Sequence, residues 1–128
     1  MSLIASAEPL VIVLADDAEH GGIAAGIFAE SGLQPIACHD AEEAWDALRS
    51  HGPRIALVFA DLALQGRMNG LDLARRVPSR WPGTTVVLTG GEPPAGPVPA
   101  ETAFVPKPWR AVDLIVAAER AVGHLPAA

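Results

Sequence analysis

The sequence predicts a single α/β domain built on an open, doubly wound parallel sheet. Five short apolar runs rich in branched residues alternate with stretches of helical period, the pattern of strand–helix units. The 128 residues, half of them hydrophobic, suffice for one core without disulfides or structural metal. Acidic and hydroxyl side chains fall at the ends of the strand-like runs, where open parallel sheets place their ligands.

The elements follow in order. Leu10–Ala15 is too short for a helix and apolar at every position, so it reads as a buried strand. A helix follows with Ile23, Ile27 and Phe28 expected on its inner face, ending near Gly32. Pro35–Cys38 reads as a second strand. Asp40 caps a helix that turns Ala44, Trp45 and Leu48 inward and stops at Gly52-Pro53. Ile55–Ala60 is the clearest buried strand, with Asp61 at its end. Leu71, Leu73, Ala74 and Val77 mark a third helix that Pro78 is expected to end or kink, because proline lacks the N–H and crowds the carbonyl of Ala74. Thr85–Leu88 and Ala103–Val105 are the fourth and fifth strands. The last helix is expected over Arg110–Val122, with Val112, Ile115, Val116 and Val122 as its apolar positions. Between the fourth and fifth strands, Glu92–Pro99 holds four prolines, so the helix expected there is shortened or lost. Right-handed crossovers leave few topologies for five such units.

Composition excludes several function classes. The formal net charge is −6 and the basic residues form no stripe, which argues against direct nucleic-acid binding. No apolar run reaches the length of a bilayer span, and the N-terminus lacks the pattern of a signal peptide. Cys38 is the only cysteine, so no internal disulfide can form and a reducing cytoplasm is the expected compartment. Arginine supplies nearly all the positive charge. Lys107 is the only lysine in the chain.

The first strand runs into Asp16-Asp17, the third into Asp61, the fourth into Thr89, and the fifth leads to Lys107. Taken singly, each has a plain structural use: Asp17 as a helix cap, Asp61 and Thr89 as turn residues, Lys107 as a solvated charge. Taken together they do not. Two carboxylates about 4 Å apart repel by roughly 4 kcal/mol at an effective dielectric near 20. Such a cluster needs a cation. Oxygen ligands with no nearby histidine or cysteine pair favour Mg²⁺, which commonly takes one or two carboxylates with phosphate oxygens and water. A lysine at the same edge adds a second positive charge, an arrangement suited to a transferring phosphoryl group.

Four blocks in this order resemble the signature blocks of response-regulator receiver domains: Val11-Ile12-Val13-Leu14-Ala15-Asp16-Asp17, Leu57-Val58-Phe59-Ala60-Asp61-Leu62, Val86-Val87-Leu88-Thr89-Gly90, and Phe104-Val105-Pro106-Lys107-Pro108. The resemblance runs from about Leu10 to Val122. It implies a flavodoxin-like (βα)5 fold with strand order 2-1-3-4-5, a receiver domain over 10–123, an N-terminal extension over 1–9 and a tail over 124–128. It implies a cytoplasmic phosphoacceptor of a two-component system rather than a turnover enzyme. Asp61 would take the phosphoryl group from a sensor histidine kinase or phosphotransfer protein. Asp16, Asp61 and the carbonyl of Ala63 would hold Mg²⁺, with Asp17 close by. Lys107 would pair with Asp61 and then with the phosphoryl oxygen. Thr89 would bond that oxygen, Phe104 would follow as the aromatic switch, and a downstream protein would read the change. The Lys107-Pro108 bond is a candidate cis peptide on the same grounds.

The chain departs from the family pattern at three places. The acidic pair has two registers, Asp16-Asp17 read from the strand or Ala15-Asp16 counted back from Gly32. The loop Leu64–Gly70 looks one residue longer than the common form and has Gln65 where proline is usual. The proline-rich stretch replaces much of a helix that normally helps form the surface read by partners. Two other classes compete. Aspartyl-phosphate phosphatases of the haloacid-dehalogenase kind place a second aspartate two residues after the nucleophile, and Ala63 stands there. An unphosphorylated interaction module would account for the lost helix, but would not need Asp61, Thr89 and Lys107 together. The few residues after Val122 cannot form a second domain, so output is expected through a partner or onward phosphoryl transfer.

Overall fold

In a computed structural model, residues 8–64 and 66–125 are described. Gln65, and with it the expected loop insertion, lies outside the described residues, as do 1–7 of the extension and 126–128 of the tail. Five parallel strands form one sheet in the order β2-β1-β3-β4-β5, as the family resemblance implied. They are β1 (Leu10–Leu14), β2 (Gln34–Cys38), β3 (Ile55–Asp61), β4 (Thr85–Gly90) and β5 (Ala103–Pro106). Four helices accompany them: α1 (Ala18–Glu30), α2 (Ala41–His51), α3 (Gly70–Arg80) and α4 (Ala111–Gly123). The segment between β4 and β5 holds no helix, as its prolines predicted.

The strict alternation of the strands divides the core into two layers. Leu10, Ile12 and Leu14 join Val58, Ala60, Val86 and Leu88 beneath Leu48, Leu73 and Val77 of α2 and α3. Val11 and Val13 join Leu57, Phe59 and Val87 beneath Phe28 of α1 and Leu114 of α4. All seven residues of β3 are buried, which fits its place at the centre of the sheet. Asp40 caps α2, accepting the Glu43 N–H at 2.8 Å. Asn69 caps α3 reciprocally with Asp72, each bond at 2.9 Å.

Three expectations need correction. First, α3 runs two residues past Pro78, to Arg80, because the proline falls so late that its missing N–H costs one bond, and the Trp81 N–H closes the last turn on Val77 at 2.8 Å. Second, α4 buries Leu114, Ala117, Ala118 and Ala121, while Val112, Ile115, Val116 and Val122 are exposed. The small alanines let the helix lie close on the sheet, and that closeness sets which stripe faces inward. Third, Ile23 is 49 % exposed and α1 packs instead through Ala24 and Phe28.

Removing the reciprocal cap on α3 should be measurable. Asn69→Ala is expected to lower stability by about 1 kcal/mol in urea unfolding, with no change in the far-UV spectrum of the folded state.

Candidate functional site

The strand ends converge as the sheet topology requires. β1 and β4 flank β3, so whatever follows Leu14 and Leu88 lies beside Asp61. Asp61 and Thr89 are register partners, and Thr89 belongs to β4 itself rather than to a turn beyond it. A register step between β1 and β3 at Leu10/Val11 sets Leu14 against Ala60, which brings the next residues of the chain level with Asp61. The Lys107 N–H donates to the Gly90 carbonyl at 2.9 Å, which ties the β5 exit to the end of β4. The Lys107-Pro108 peptide is cis.

Lys107 Nζ donates to Asp61 Oδ2 and lies 3.4 Å from Asp16 Oδ1. Asp61 is 1 % exposed. Its other oxygen, Oδ1, accepts the Ala63 N–H at 2.9 Å. Burial pushes the Asp61 carboxyl upward, but the Lys107 ammonium and the Ala63 amide outweigh it and hold the group below the usual carboxylate range. Burial likewise pulls the Lys107 ammonium downward, and its bonds to Asp61 and Asp16 carry it above the ordinary lysine value. Both groups are therefore charged across the neutral range. Thr89 is 2 % exposed and its hydroxyl has no hydrogen-bond partner. Phe104 is half-buried against the α2/α3 layer of the core.

Asp17 is used differently. Its Oδ1 accepts the His20 N–H at 2.8 Å, capping α1, and its Oδ2 bonds His20 Nδ1 at 2.6 Å. Those bonds lower the Asp17 carboxyl and raise the His20 imidazole. Asp16, not Asp17, reaches Lys107. Asp16 and Asp61 are the two carboxylates gathered at Lys107, and among the described residues no three His, Cys, Asp or Glu side chains converge as a metal-holding group. Those two still suit a hard divalent ion, for Mg²⁺ commonly takes one or two carboxylates with other oxygens.

Gly70 was not singled out from sequence. A Cβ there would sit 3.1 Å from both the Asp61 carbonyl oxygen and Leu88 Cδ2, so glycine lets α3 start directly under the acidic strand end. The signal was present as a glycine at the first position of a helix that follows a capping asparagine. His20 as the partner of Asp17 also escaped notice, although the three-residue spacing of a cap and its first turn was there to read. Cys38 is buried, and burial pushes its thiol up to about 11, which makes it inert.

No protein-family model and no curated protein matches the chain. Solved structures do. The receiver domain of NtrX from Brucella abortus aligns with a TM-score of 0.72 and 29% identity over 89% of this chain and 98% of that one. A response regulator receiver protein from Sinorhizobium medicae WSM419 aligns with a TM-score of 0.79 and 20% identity, covering 91% of this chain and 95% of its own. The structural neighbours of this protein are response-regulator receiver domains. A longer NtrX chain from Brucella abortus, crystallised with ATP, aligns at 29% identity with a TM-score of 0.73 over 91% of this chain, and this chain spans 27% of its length. The receiver fold accounts for the convergence of Asp16, Asp61, Thr89 and Lys107, because its strand order makes β1, β3 and β4 adjacent. Among the described residues no helix is long and apolar enough to cross a membrane.

The ion pair has a testable share in stability. Lys107→Met is expected to destabilise by about 2 kcal/mol at neutral pH, less than the ~3–5 of a fully buried pair, since the lysine side chain is 24% exposed. Asp61→Asn in the same chain should recover most of that loss in a double-mutant cycle. The pH dependence follows from the two directions. A lowered Asp61 pKa gives stability that is present above the ordinary carboxylate value of 3.8 and lost as pH falls through the lowered one. A raised Lys107 pKa gives stability that is complete below its ordinary 10.5 and lost as pH rises through the raised one. The coupling energy, measured by urea unfolding, should therefore be flat from about pH 5 to pH 9 and shrink in acid.

Proposed function

We propose that this chain is a phosphoacceptor receiver of a two-component system, phosphorylated on Asp61 by a sensor histidine kinase or phosphotransfer protein. One observation carries the reading: the only lysine in the sequence bonds a buried aspartate at the end of the central strand, with a second carboxylate 3.4 Å from the same ammonium. A lone structural ion pair would not need the second acid.

In this reading an Asp61 carboxylate oxygen attacks phosphorus. The P–N bond of the phosphohistidine breaks and its electron pair returns to the ring nitrogen. Lys107 then moves its charge from the carboxylate to a phosphoryl oxygen, a charge-assisted bond worth roughly 1.5–3 kcal/mol. The Thr89 hydroxyl, buried without a partner, gains one by bonding another phosphoryl oxygen. Asp16, Asp61 and the backbone carbonyl of Ala63 would hold Mg²⁺ through oxygen donors. When bound, the ion would neutralise charge on the transferring group. Phe104 follows Thr89, and a downstream protein reads the altered surface. Full switching from 1:99 to 99:1 needs about 5.5 kcal/mol of differential stabilisation, which two or three such bonds supply. A reducing cytoplasm is the compartment that fits a single buried thiol.

A second reading, an unphosphorylated interaction module, is favoured by the missing helix between β4 and β5 and by the use of Asp17 as a cap. Incubation with phosphoramidate and Mg²⁺ separates the two. The phosphoacceptor reading expects one phosphoryl group on the intact protein by mass spectrometry, lost in Asp61→Asn and after chelation of the metal. An unmodified wild-type chain at saturating donor would instead establish the module.

A further inference from the structure

Four of the eight arginines in the sequence fall on α3 or the loop that enters it: Arg67, Arg75, Arg76 and Arg80. All four are exposed. Among the described residues none of them joins an ion pair; the arginines that do are Arg49, with Asp46, and Arg110, with Asp113. The one acid of α3, Asp72, is taken up by its reciprocal cap with Asn69. Arg80 is nevertheless held in place. Its guanidinium lies 5.5 Å from the Trp45 ring centroid and 5.0 Å from that of Trp81, close enough for cation–π attraction to both. The two rings meet edge to face with centroids 5.1 Å apart, and both are partly exposed. Trp45 belongs to α2, whose exposed side carries the opposite charge in Glu42, Glu43 and Asp46.

α2 and α3 cover the same layer of the core, through Leu48 on one and Leu73 and Val77 on the other. An acidic helix and a basic helix therefore lie side by side, with the two tryptophans at their junction. A two-fold dimer needs a surface complementary to itself, and this face holds both halves of an electrostatic match. Tryptophan and arginine are also the residues that most often dominate binding energy at interfaces. We propose that the α2/α3 face binds a second copy of this chain, with α3 of each protomer set against α2 of the other. The two-fold then opposes Arg75 and Arg76 to Glu42 and Asp46 twice over, while Trp45 and Trp81 supply the apolar centre. Arginine suits this use, because its planar fork pairs bidentately with a carboxylate. An outside acidic partner or a phosphate backbone would satisfy α3 alone and set its own charge against the carboxylates of α2. The contact uses none of Asp16, Asp61, Thr89 and Lys107, so it stands independently of phosphoryl transfer.

Sedimentation equilibrium of the full chain at low ionic strength is expected to show a mass that rises with concentration toward that of two chains. Arg75→Glu with Arg76→Glu should weaken self-association about tenfold or more, by placing like charges across the axis. Glu42→Lys with Asp46→Lys should do the same. All four positions are exposed on helices that lysine and glutamate suit, and circular dichroism with urea unfolding establishes that each variant is folded. A mixture of the two variants should associate at least as tightly as wild type, because every facing pair is again opposite in sign. Each double reversal shifts the formal charge of −6 by four units, so both variants stay acidic and no general attraction accounts for a mixed dimer. A wild-type chain that stays monomeric up to millimolar concentration overturns the proposal. So does self-association that both variants keep, which would put the contact on another face, and so does a mixture of folded variants that fails to associate.

Discussion

The bond from Lys107 to Asp61 organises the upper edge of this molecule. A carboxylate that is 1 % exposed at the end of the central strand would be strongly disfavoured without a counter-charge, and the chain offers only one lysine to supply it. The lysine arrives from β5, two strands away, and its backbone is fixed by donation to the Gly90 carbonyl on β4. Three strands are thus tied together at one point. Asp16 adds a second carboxylate without adding a second cation, so the cluster holds net negative charge around one ammonium. That imbalance gives the site room for a further positive charge, and the fold keeps it instead of neutralising it with another basic residue.

The surrounding elements serve that edge in different ways. Gly70 allows α3 to begin against the Asp61 backbone, and Asn69 and Asp72 close its first turn so that the loop from Asp61 returns to a fixed start. Asp17 accepts the His20 N–H at the start of α1 and bonds the His20 ring, which turns it away from the charge cluster. Trp109 stands edge-on to His20 and to Phe59 of the core. The proline-rich stretch has the opposite character. It crosses from β4 to β5 without a helix, and Val98 packs against the α2/α3 layer where a helix would otherwise lie. The acidic edge and the neighbouring face are therefore built differently: one is tied by an ion pair, the other crosses without a helix.

Much of this was legible in sequence because the signals are local. A run of alternating or continuous apolar residues specifies a strand wherever it stands, and four prolines in eight residues forbid a helix on any scaffold. Asp40 could be read as a cap for the same reason. The exposed stripe of α4 shows where local reading fails. Val112, Ile115, Val116 and Val122 have the hydropathy of core residues, but Ala117, Ala118 and Ala121 are small enough to let the helix approach the sheet, and close approach won over side-chain size. Pro78 misled for a related reason: near the end of a helix the backbone bond it removes is one of few left to lose.

From the order of its residues alone, the chain determines an α/β sandwich, its five strands, and the presence of Asp16, Asp61, Thr89 and Lys107 at strand ends. Each of those depends on neighbours a few positions apart. Tertiary structure decided that Asp16 rather than Asp17 meets the lysine, that a register step at Leu10/Val11 sets β1 level with Asp61, and that Trp45 and Trp81 meet beside Arg80. These are distances between segments as many as 91 positions apart. They follow from how the layers pack, a property of the whole fold that no short stretch of sequence encodes.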